Sequence, residues 1–95
     1  MDTEAPADVR GRIESIVRRH PQVTGLHDLR TRVAGHTTFV QLHLELPGDL
    51  SLARAHAIAD EVLESLAAEF PGAEILIHQD PAGIGTADRG PVPVA

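Results

Sequence analysis

Ninety-five residues make room for one small domain, and with Phe39 and Phe70 as the only aromatic residues its core must be built from Leu, Val, Ile and Ala. A formal net charge of −6 and the lack of any lysine argue against a nucleic-acid partner, which calls for clustered cations. The absence of cysteine excludes disulfides, thiolate catalysis and Cys-ligated zinc.

The opening MDTEAPADVR has no apolar signal-peptide core, and no apolar run is long enough to cross a bilayer, so a soluble chain is expected. Residues 1–6 read as a flexible lead-in. A helix is predicted over 7–20, with Val9, Ile13, Ile16 and Val17 on one face and Pro21 as its stop. A strand follows over 26–33, then a turn at AGHT in which Gly35 is free to take positive φ. The next strand, 37–46, alternates cleanly. Val40, Leu42, Leu44 and Leu46 share one face, and Phe39, Gln41, His43 and Glu45 share the other. These two strands should form an antiparallel hairpin.

Asp49 or Ser51 can cap a second helix running to about Phe70, with Leu52, Ala55, Ala59, Val62, Leu63 and Leu66 as its apolar stripe. Pro71 and Gly72 end it. AEILIHQ is a third strand, in which Ile75 and Ile77 share one face while Leu76, His78 and Asp80 share the other. The folded unit spans 7–81, and the Gly- and Pro-rich residues 82–95 read as a disordered tail. The order is α-β-β-α-β, an α+β fold. A right-handed crossover makes the last two strands parallel, giving a three-stranded mixed sheet with both helices on one face. The uncovered face is a candidate for dimerisation.

Six histidines is a high count for this length. His43, His78 and Asp80 all point to the uncovered face, on strands expected to be neighbours. Imidazole nitrogen and carboxylate oxygen suit Zn²⁺, although solvated polar residues on an open sheet would look the same. By spacing alone, His27 beside Asp28 reads as a turn or edge histidine, and His56 with Asp60 as a hydrogen-bonded i, i+4 pair. His20 and His36 read as exposed. No nucleophile elbow, phosphate loop or dinucleotide fingerprint is present, and nothing points to an enzyme.

The segments GLHDLRTRVAG, FVQLHLELPGDLSLARAHAIADEV and FPGAEILIHQDP resemble the cytoplasmic C-terminal domain of cation diffusion facilitator transporters, with the ferrous-iron/zinc efflux members as the nearest match. The similarity covers about Val9 to Pro81. It implies a metallochaperone-like, ferredoxin-like domain that dimerises and binds divalent metal at the interface in the cytoplasm. It also implies that metal occupancy is transmitted to a membrane domain exchanging metal for protons. Carried over residue by residue, the metal positions fall on His27, His43, His56, His78 and Asp80. Zinc is the leading ion, ahead of Fe²⁺, Mn²⁺, Co²⁺ and Cd²⁺. The family's membrane helices have no counterpart in these residues. The expectation is a homodimeric metal-sensing domain of an efflux transporter. The alternatives are a dimerisation module without metal and a free-standing soluble metal carrier.

Overall fold

The computed structural model describes residues 3–83. Helix α1 spans Ala7–Arg18, strand β1 Gly25–Ala34, strand β2 Thr37–Leu46, helix α2 Leu52–Glu69 and strand β3 Glu74–Pro81. Residues 84–95, most of the stretch read as a disordered tail, lie outside the described residues.

Pro6 stands before α1, where its missing N–H is no loss, and Asp8 and Arg18 suit the two ends of the helix dipole. The helix stops two residues short of its predicted end. Arg19 and His20 instead donate to Ile16 O and Val17 O, both at 3.3 Å, in a tighter closing turn. The Ser51 side chain caps α2 by accepting from Arg54 N at 3.0 Å. Gly72, at φ 82°, turns the chain from the end of α2 toward β3.

The sheet order is β1-β2-β3, with β2 antiparallel to β1 and parallel to β3. Val40, Leu42, Leu44 and Leu46 of β2 are all buried, against Ile13, Ile16 and Val17 of α1 and Ile58, Ala59, Val62 and Leu66 of α2. Both helices therefore cover one sheet face. Leu42, Leu44, Ile13 and Ile58 are completely buried, each contributing roughly 1.5–3 kcal/mol of apolar transfer. The stripe of α2 differs from the expected one. Ile58 is inside, whereas Leu63 lies at the margin and Leu52, one residue past the cap, is 84% exposed.

Two features of β1 go beyond simple alternation. Between His27 and Arg30 the register slips, so that Asp28 and Leu29 face Leu42 alone, with Asp28 at φ 51°. Before α1, Thr3 pairs with Val33, and Ala5, itself buried, donates to Thr31 Oγ1 at 3.1 Å. Arg10 reaches across to Leu29 O at 3.1 Å and pairs with Glu4. The part of the expected flexible lead-in from Thr3 to Pro6 thus runs against the edge of β1, because that edge supplies backbone and Thr31 partners. Among the described residues no helix is long and apolar enough to cross a membrane.

Candidate metal centre on the open sheet face

The two ladders arrange the open face in rows. His27 lies opposite His43, and His43 beside His78, so three imidazoles occupy one row across all three strands. The next row is Gly25, Glu45 and Asp80. The row on the other side is Arg30, Gln41 and Leu76. The bulge is what brings His27 into this set. Unbroken alternation would put His27 on the same face as Leu29 and Thr31, which turn inward; the extra residue returns it to the face of His43.

The donors interact in pairs. His43 Nδ1 lies 2.9 Å from Asp80 Oδ2, and the Asp80 side chain is only 8% exposed. The His43 and His78 rings stack at 4.5 Å between centroids and 15° between planes. Gln41 Nε2 lies 3.2 Å from His78 Nε2. As an amide nitrogen can only donate, that contact uses the His78 lone pair and puts its ring proton on Nδ1. His27 Nε2 lies 3.0 Å from Glu45 Oε2. This hydrogen bond holds the Glu45 carboxyl below its ordinary value of 4.5, helped by Thr24 and opposed by burial and by Asp80 beside it.

Of the five metal positions expected from the sequence, four share this face: His27, His43, His78 and Asp80. The fifth, His56, lies on α2 in the helix layer, exposed, with Nε2 3.3 Å from Asp60 Oδ2. Among the described residues no three His, Asp or Glu side chains stand ready around a single point. The face pairs His27 and His43 with the carboxylates of Glu45 and Asp80, and His78 with the Gln41 amide. Borderline imidazole nitrogen with hard carboxylate oxygen fits a zinc-like divalent ion by donor chemistry.

Glu45 and Gln41 touch these side chains, and Thr24 holds Glu45; none of the three was among the expected site residues. Period-two alternation already put Gln41 and Glu45 on the face of His43; what it lacked was their partners across the ladders. His20, read as exposed, is half-buried between the helices, with Nε2 2.6 Å from Glu61 Oε1. His36 is exposed in the hairpin turn, as expected.

Residues 5–82 match the family model described as the cytoplasmic domain of cation efflux proteins. The cation-efflux pump FieF of Shewanella oneidensis is 51% identical over 84 residues, which is 88% of this chain and 28% of the pump. Protein p34 of Rickettsia rickettsii is 49% identical over the same shares. The chain thus spans less than a third of the curated relatives it matches. A structure of CzrB, described as a candidate zinc transporter, superposes with a TM-score of 0.78 at 34% identity, over 83% of this chain and 99% of that one. The C-terminal domain of MamM, in a nickel form, superposes with a TM-score of 0.75 at 19% identity, over 80% and 98%, and shares the fold. With the model matching nearly all of the described chain, this protein belongs to the family of cation efflux protein cytoplasmic domains.

Proposed function

We propose that this domain is the homodimeric metal sensor of a divalent-cation efflux transporter, and that His27, His43, His56, His78 and Asp80 hold the ion. The observation that carries the reading is the row of three imidazoles on neighbouring strands beside the Asp80 carboxylate. Zn²⁺ is the leading ion, because nitrogen/oxygen sites favour it over Mn²⁺ and Fe²⁺ by the usual affinity order. The likeness to CzrB, described as a candidate zinc transporter, supports this choice; Fe²⁺, Mn²⁺, Co²⁺ and Cd²⁺ are the further ions this donor set could take.

His56 cannot join the row from its own helix layer while that helix packs on the covered side of the sheet. A second copy supplying His56 to this open face would make the ion a cross-link between protomers. Such an ion stabilises the state that binds it better and shifts the population toward a closed dimer. In the whole transporter that closure would be passed to the membrane domain, on the cytoplasmic side of the membrane.

Calorimetric titration of Zn²⁺ into the protein tests this. Saturable binding is expected, strongly weakened in His43→Ala, His78→Ala and Asp80→Ala, and little changed in His20→Ala and His36→Ala. Equal losses at all six histidines would mean nonspecific surface binding. Dimerisation without zinc uptake would favour the metal-free structural module instead.

A further inference from the structure

Glu45 lies in the row next to the three imidazoles, and three features fix where its carboxylate goes. Its partner across the ladder is Gly25. A Cβ at residue 25 would stand 3.2 Å from Glu45 Oε1, tighter than most packed atoms allow, and in ordinary contact with its Cδ at 3.5 Å. The missing side chain is the space over β1 that the Glu45 carboxylate occupies. The Thr24 hydroxyl lies 3.1 Å from Oε1 and 2.9 Å from the Glu45 carbonyl oxygen. Oε2, the other carboxylate oxygen, meets His27 Nε2 at 3.0 Å.

The consequence for His27 is chemical. An ionised carboxylate only accepts, so His27 Nε2 carries a proton, and in the neutral imidazole Nδ1 then keeps its lone pair. A carboxylate on the far nitrogen of a ligating imidazole fixes its tautomer and orientation and makes the other nitrogen a better donor. Both carboxylate oxygens of Glu45 are already engaged, by Thr24 just before β1 and by His27 on it, which suits orienting a ligand better than being one.

We propose that Glu45, laid over Gly25 and steadied by Thr24, is a positioning residue of the metal centre that fixes His27 with its proton on Nε2 and Nδ1 free to ligate. The proposal rests on the metal reading above and adds a residue to it.

Two readouts on the full chain test it. In the metal-free protein, nitrogen NMR of the imidazoles should find the His27 proton on Nε2, and Glu45→Ala should release it to a mixture of tautomers. Zinc affinity, measured by competition with a chelator, should fall about 10–100-fold in Glu45→Ala. Glu45→Gln should recover part of that loss, since its amide oxygen still accepts from Nε2. Gly25→Ala should reproduce part of it, by displacing the carboxylate while leaving both functional groups chemically intact. In a His27→Ala background, Glu45→Ala should cost nothing further. A persisting loss there, or a wild-type His27 proton on Nδ1, overturns the positioning role while leaving the metal site standing. Wild-type protein that takes up no zinc overturns the metal reading itself and this role with it.

Discussion

Replacing His43 by alanine should damage the metal-free fold as well as zinc binding. His43 sits at the centre of the imidazole row, stacked on His78 and bonded to Asp80 at 2.9 Å. The Asp80 side chain is 8% exposed, so without the imidazole its carboxylate is left largely out of water and short of a partner. Stranding a buried polar group of this kind costs about 1–3 kcal/mol. For a domain of this size that lowers the melting temperature by roughly 5–20 °C. The assay is thermal and urea unfolding of metal-free wild type, His43→Ala, Asp80→Asn and the double variant. In the double variant the stranded charge is gone, so it should regain a good part of what His43→Ala lost, giving a clear coupling energy between the two sites. A His43→Ala protein within about 0.5 kcal/mol of wild type would mean that the pair contributes nothing measurable to the fold. Simple additivity of the two single changes would likewise refute the pairing.

Zinc affinity should fall steeply between about pH 7.5 and 5.5, because ligating imidazoles must be neutral and histidine protonates near 6.5; a flat profile would indicate a carboxylate-only site. The hydrogen bond from His20 holds the Glu61 carboxyl below its ordinary 4.5, with Arg54 helping. A lowered carboxylate stabilises the fold above its unfolded value and loses that contribution as pH falls through the folded one, so Glu61→Gln should flatten part of the decline in urea midpoint below about pH 4.5. The slope should persist in part, since Glu45 is lowered in the same direction. Zinc should compact the dimer in solution scattering, and His56→Ala should keep part of the zinc binding while losing most of the compaction; equal compaction would remove His56 as the link between protomers.

The layers of this fold were legible because β2 alternates without interruption. Leu42 and Leu44 had to turn inward, which fixed His43 outward, and the same argument on β3 fixed His78 and Asp80. The place of His27 was not legible, because it depends on a bulge whose mark is a positive φ at Asp28. Nothing in HDLRTR announces an extra residue, and alternation by itself assigns His27 to the wrong face. Long-range partners were hidden for a similar reason. Glu45 over Gly25, and His20 against Glu61, join residues 20 and 41 positions apart, so they appear only once register and helix packing are known. Leu52 and Leu63 satisfied the helical spacing of a stripe, but helix α2 is rotated to present Ile58 instead.

On the proposed reading, neighbouring strands offer several imidazoles to one ion. Zinc K-edge X-ray absorption on the zinc-loaded full chain reads this directly. A first shell of nitrogen and oxygen at about 2.0–2.2 Å is expected, together with outer-shell scattering from more than one imidazole ring that diminishes in His43→Ala and again in His43→Ala/His78→Ala. A first shell of oxygen alone, or imidazole scattering unchanged in the double variant, would contradict the account.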